Sequence, residues 1–159
     1  MNKQTLRAQI LNRLQAELQL QTSAAQLARD EAISEESRAE NKYDTHGQEA
    51  AYLAEAQARL AAEIQAAISV YATFTMSDYN ASTPIGLGAI ITLSANGKDS
   101  WYLLGPRAGG LELSLSGHDV LLITPQSPIG RLLIGRRAGD TVQPPGRGSP
   151  VAYQIVAVH

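Results

Sequence analysis

Glycine and proline fall almost entirely on one side of residue 80. All seven prolines lie at or beyond Pro84, and twelve of the thirteen glycines at or beyond Gly86, the exception being Gly47. A long stretch with one helix breaker near its middle, followed by a region dense in turn residues, implies two differently built halves.

In the first half, Leu11, Leu14, Leu18, Gln21, Ala25, Ala28, Ala32 and Glu35 recur by alternate threes and fours. This spacing places them on one stripe of a helix, which Leu6 and Ile10 extend toward the N-terminus. A second stripe after Gly47 runs Leu53, Ala56, Leu60, Ile64, Ala67 and Tyr71. Two stripes of similar length around one polar, glycine-containing turn predict an antiparallel helical hairpin. A dimeric coiled coil would use the same pattern. The first helix, over residues 3–35, would be about 50 Å long. Alanines near the turn let the backbones approach, and the larger leucines and isoleucines at the far end supply most of the burial.

Residues 72–84 lose the helical period and read as a linker, with local packing by Phe74 and Met76. Beyond it, Leu87–Leu93 and Trp101–Leu104 read as strands joined through Asn96-Gly97. Val120–Thr124 has the apolar character of a central strand. The alternation around Val151–Val158 predicts a last strand covered on both faces. Ser127-Pro128 opens a short helix that Gly135 can stop, and Pro144–Ser149 is a loop. The fold class is α+β. The expected divisions are 1–72 for the coiled-coil hairpin with its tip near 35–47, 73–84 for the linker, and 85–159 for the sheet domain.

The apolar fraction of 44% and net charge of −2 describe a folded chain without the basic surplus of an independent DNA binder. No apolar run approaches the ~18 residues of a membrane span, and no signal-peptide core is present, so a cytoplasmic location is expected. The absence of cysteine excludes disulfides, thiolate metal sites and a cysteine nucleophile. His46, His118 and His159 have no metal-ligand spacing. No catalytic triad pattern occurs, and Gly86-x-Gly88 lacks the remainder of a dinucleotide loop.

Acid is the one concentrated chemistry. Of fifteen Asp and Glu, seven fall between positions 30 and 49: Asp30, Glu31, Glu35, Glu36, Glu40, Asp44 and Glu49. Charge runs ordinarily decorate solvated turns. On a projecting tip, however, carboxylates can also complete the shell of a Mg²⁺ held by another macromolecule, because this hard cation takes oxygen ligands. Glu36 and Glu40 share one face if that segment is helical. Arg131, Arg136 and Arg137 form a basic group around the short helix, exposed to solvent or available for protein docking.

Two segments resemble the Gre transcript-cleavage factors of bacterial RNA polymerase. Thr124-Pro125-Gln126-Ser127-Pro128-Ile129-Gly130-Arg131-Leu132-Leu133-Ile134-Gly135, followed by Gly139-Asp140, is similar to their C-terminal signature. Glu40-Asn41 with Tyr43 resembles their hairpin tip. The resemblance spans essentially the whole chain and implies an N-terminal antiparallel coiled coil followed by an FKBP-like domain. That domain would dock on RNA polymerase, with Ser127, Pro128, Arg131, Arg136 and Arg137 as candidate docking residues. The tip would enter the secondary channel and meet the RNA 3′ end only within that complex. In the family, a tip Asp and a Glu three residues later help hold the polymerase's second Mg²⁺. Aligning Glu40-Asn41 puts Ser37 at the Asp position; aligning Tyr43 puts Glu36 there and Ala39 at the Glu position. Glu36 with Glu40 is the best substitute pair, and Asp44 is a third acid within reach. The resemblance thus implies a factor that stimulates RNA cleavage without an active site or cofactor of its own. A non-cleaving channel regulator is the alternative, and a prolyl isomerase is a distant third, given only Tyr79, Trp101, Tyr102 and Tyr153 as aromatics.

Overall fold

The computed structural model describes residues 2–38, 46–144 and 151–159, with residues 35–38 and 46 described by their helical backbone alone. Its elements run α1 (Lys3–Arg38), α2 (His46–Thr73), β1 (Ile90–Ala95), β2 (Lys98–Leu104), β3 (Glu112–Leu115), β4 (His118–Ile123), α3 (Pro128–Leu133), β5 (Thr141–Val142) and β6 (Tyr153–Val158). No helix among the described residues is long and apolar enough to cross a membrane. The chain folds as two compact units, Leu11–Ser69 and Met1–Ile10 with Val70–His159. The unit boundaries fall inside the helices, whereas the sequence suggested a division at residues 72 and 85.

The first unit is a pair of helices. Helix α1 contains no glycine or proline and is rich in Ala, Leu, Gln and Glu, all strong helix formers. From Leu11 to Ala32 its buried stripe is the expected one: Leu14, Ala25, Ala28 and Ala32 are buried, with Leu11, Leu18 and Gln21 half-buried; the Glu35 side chain lies outside the described residues. Arg29, Ala32 and Ile33 line one groove with Ala51, Ala54, Glu55 and Ala58, so the end of α1 lies beside the start of α2 and the pairing is antiparallel.

The stripe expected on α2 requires correction over its first half. Leu53 and Leu60 are 50% and 45% exposed, and Ala56 is exposed as well. The buried line is Gly47, Ala50 and Ala54, continuing through half-buried Gln57 and Ala61 to Ile64, where it joins the expected line at buried Ala67 and Tyr71. Up to Ile64 it keeps the heptad spacing but is rotated from the expected line. Close approach to Ala25, Ala28 and Ala32 explains the choice. A leucine in that seam would force the axes apart and break the contacts the alanines make.

The second unit is built on a six-stranded sheet of order β3-β4-β2-β1-β6-β5. Strands β1 and β2 form the expected hairpin, with Ala95 opposite Lys98. Its loop residues Asn96 and Gly97 have φ of 52° and 72°, the left-handed pair that a two-residue turn demands. Ser116-Gly117 repeats this device between β3 and β4, with φ of 52° and 83°. Strand β4 is interior, pairing with β3 on one side and parallel to β2 on the other. The last strand departs from expectation. Ile155 and Val158 are buried, but Gln154 and Val156 face solvent, so β6 is covered on one face only.

Both faces of the central strands are covered. One carries Ile91, Leu93, Leu104, Ile123 and Ile155 with α3's Leu133 and the segment containing Ile85 and Ala89. The other parity, Ile90, Leu103, Val120 and Leu122, is equally buried. The helix bases belong there. Leu6, Ile10 and Tyr71 are fully buried, and Tyr71 approaches Leu122 so closely at Gly105 that a Cβ on Gly105 would meet both. Gln9 bonds both backbone groups of Ser114 on β3, at 2.7 and 2.9 Å.

Residues 74–88 are tied down by the same bases. Lys3 donates its ammonium to Gly88 O at 3.0 Å and to Ser77 O, and lies over the Tyr79 ring. The Arg7 guanidinium satisfies the terminal carbonyls of α2 at Tyr71 and Ala72. Phe74 packs edge-on against Tyr71.

These buried polar groups give the unit a signed response to alkali. The Tyr71 hydroxyl donates to Arg107 O at 2.6 Å, and burial pushes its pKa up to about 12. The unfolded chain releases that proton near pH 10. Stability from this group is therefore full below pH ~10 and declines as pH rises toward 12. Burial lowers the Lys3 pKa instead, so its contribution grows as pH rises toward 10.5. Burial raises Tyr79 and Tyr102 as well, so urea unfolding above pH ~10 should show a decline that Tyr71→Phe lessens without abolishing. At neutral pH the same substitution should cost about 1 kcal/mol for the lost hydrogen bond.

Candidate functional site

Two regions carry candidate residues, and they are built differently. At the end of the helix pair, Glu36 lies in the last turn of α1. Glu40, Asn41, Tyr43 and Asp44 fall outside the described residues. Among the described acids nearby, Asp30, Glu31 and Glu49 are exposed, and Asp30 accepts a bond from Gln26 Nε2 at 2.8 Å. Glu49 sits in the first turn of α2, where the helix dipole favours it. Glu35 and Glu36 are at the opposite pole of α1, where the dipole favours cations. Helix stability gives no reason for carboxylates there.

The second region joins β4 to α3, and here the geometry accounts for the sequence residue by residue. Ser127 is the N-cap of α3: its Oγ accepts from Gly130 N at 3.0 Å and donates to Thr124 O at 2.7 Å. Pro128 occupies the first helical turn, where a missing N–H costs nothing. Gly130 has no room for a side chain, since a Cβ would lie 1.9 Å from Thr124 O. Gly135 leaves the helix with φ of 79°. Asp140 accepts from Arg137 N at 2.9 Å, which closes the turn containing Gly139. The hydroxyl of Ser127 is thus committed to holding the turn. Ser127→Ala should lower the stability of this unit by about 1 kcal/mol in urea unfolding, because it removes a cap.

This turn leaves Pro128, Arg131 and Arg136 exposed on its outer side, with Ile134 47% exposed among them. Arg137 is exposed too, but its Nε donates to Ser82 O at 2.9 Å, fastening the segment before β1. Sequence reasoning overlooked Lys3, Arg7 and Gln9, whose side chains bond the sheet unit's backbone. A polar residue at a helix start gives no sign of such a partner.

Residues 80–159 match the family described as transcription elongation factor, GreA/GreB, C-terminal. That match spans half of the chain. The chain belongs to the Gre family. The signature turn that makes the resemblance visible is, in this Gre protein, the capped and glycine-tight junction of β4 with α3. Among solved structures, it is similar to GreA factor homolog 1 (Gfh1) of Thermus thermophilus, with 22% identity over 94% of each chain and a TM-score of 0.39. Gfh1 of Thermus aquaticus is 24% identical over 93% of this chain and 92% of that one, with a TM-score of 0.39. The GreA/GreB factor of Nitrosomonas europaea is 19% identical over 67% of this chain and 88% of that one, with a TM-score of 0.38. No curated protein matches this chain.

Proposed function

We propose that this Gre-family elongation factor acts on bacterial RNA polymerase by carrying carboxylates on its helical tip into the secondary channel, where they promote cleavage of backtracked RNA. The observation that carries this reading is the grouping of seven acids between residues 30 and 49, including Glu35 and Glu36 where the helix dipole opposes them. The second Mg²⁺, held by the polymerase, would supply the activated water. Glu36 and Glu40 offer it oxygen ligands, with Asp44 as a third donor. Pro128, Arg131 and Arg136 present the docking surface beside α3, and Ser127 holds that surface in shape. The chain needs no catalytic centre, cofactor or DNA contact of its own, and meets the RNA 3′ end only inside the complex.

A second reading is favoured by one residue. Ser37 stands where Glu40-Asn41 alignment would place the family's Asp, and serine is a poor ligand for Mg²⁺. On that reading the protein occupies the channel and regulates the polymerase without cleavage. The test adds the protein with Mg²⁺ to a stalled, backtracked elongation complex and follows RNA length. Shortened RNA supports the first reading. Unshortened RNA with displacement of an active cleavage factor supports the second, and neither effect would defeat both.

A further inference from the structure

The helix pair carries a second heptad line that its own seam does not use. From Leu14 to Ala32 on α1 and from Ala50 to Ile64 on α2, each seam residue is preceded by one position that faces sideways. On α1 these positions include Glu17, Leu20, Ala24, Leu27 and Glu31; on α2 they include Glu49, Leu53, Ala56, Leu60 and Glu63. The two helices therefore repeat one pattern, Glu-Leu-Ala-Leu-Glu, at coiled-coil spacing. In an antiparallel pair the preceding positions of both helices open on the same side. The following positions, Arg29, Ile33, Ala51, Glu55 and Ala58, share the opposite side, as their common groove shows.

The leucines of this line are strongly exposed, at 62% for Leu20, 70% for Leu27, 50% for Leu53 and 45% for Leu60. Exposed leucines repeated at heptad spacing on one side of a helix pair mark an interaction surface. An alanine between each pair of leucines leaves a hole into which a side chain from a third helix can fit. Glu17, Glu49 and Glu63 bracket the strip, against Arg13 as the basic residue on the same line. A second copy of this chain would bring glutamates against glutamates.

We infer that this side of the helix pair binds an amphipathic helix of a partner protein, one with an apolar leucine-type stripe flanked by lysine or arginine. Burial of the leucines supplies affinity, and the glutamates select the charge and orientation of the incoming helix.

The test uses the full-length protein and a fluorescent synthetic helical peptide with leucine along one face and lysine beside it. Anisotropy should rise to saturation, weaken with added salt, and weaken about tenfold or more for Leu27→Gln with Leu60→Gln. Both side chains face solvent, so helix content by circular dichroism should be unchanged. If that variant nevertheless unfolds, Glu17→Gln with Glu63→Gln leaves the leucines in place and must weaken binding on its own. The inference is overturned by no saturable binding, by equal binding of a peptide with glutamate in place of lysine, or by equal binding to the variants. Sedimentation as a dimer that Leu27→Gln with Leu60→Gln dissociates would also overturn it, since a second copy would then cover the strip.

Discussion

Gly130→Ala should destabilise the sheet unit by about 4 kcal/mol or more, enough to unfold a domain of ordinary stability. The added Cβ would sit 1.9 Å from Thr124 O and 2.8 Å from Ser127 Oγ. Neither neighbour can yield cheaply. Thr124 O already accepts from Ser127 N at 3.0 Å and from Ser127 Oγ at 2.7 Å, so moving it breaks the junction of β4 with α3. Helix α3 would be displaced with it, and its buried Leu133 would leave the core beside Leu104 and Ile155. Gly135→Ala is the internal control. Nothing lies within 4 Å of its Cβ position, so only its φ of 79° opposes the change. That strain is worth about 1–2 kcal/mol. Urea unfolding of the two variants should separate them clearly, and equal losses would mean that contact at Gly130 does not govern the turn.

Glu36→Ala with Glu40→Ala should reduce stimulated RNA cleavage by about 10- to 100-fold, the scale of losing groups that assist a catalytic metal. Polymerase binding should be retained, because the proposed docking residues lie in the other compact unit. Asp44→Ala alone should have a smaller effect if Glu36 and Glu40 form the working pair. Helix stability gives a second reading of the same variant. Removing a carboxylate from the C-terminal turn of α1 relieves an unfavourable dipole interaction, worth about 0.3–1 kcal/mol. The double variant should therefore be no less stable than the parent while losing activity. Stability and activity moving in opposite directions would identify a functional acid.

The sequence carried the helix pair through its breaker distribution and the α3 turn through Ser127, Pro128 and Gly135, since each is a local signal. It carried α1's buried line because leucine and alanine fall on one stripe. On α2 the larger residues misdirected the reading. Leu53 and Leu60 form a good heptad line, but alanine packing chose the neighbouring one, and apolar size alone cannot show which line a close pair will bury. Strand β3 was written in Leu113 and Leu115 with the Ser116-Gly117 turn, yet four residues are too few to stand out. Two-residue β5 gives no signal at all. The packing of Leu6, Ile10 and Tyr71 on the sheet is long-range and follows from no local pattern. At the tip, the sequence shows where acid gathers, but the spacing around Ser37 leaves more than one pairing of carboxylates.

The most direct measurement replaces the Mg²⁺ of the polymerase with Fe²⁺ and lets locally generated hydroxyl radicals cut whatever backbone lies beside it. With this protein bound, cuts should cluster around residues 36–44. Cuts confined to residues 80–159, or a bound protein left intact, would show that its acidic turn never reaches the metal.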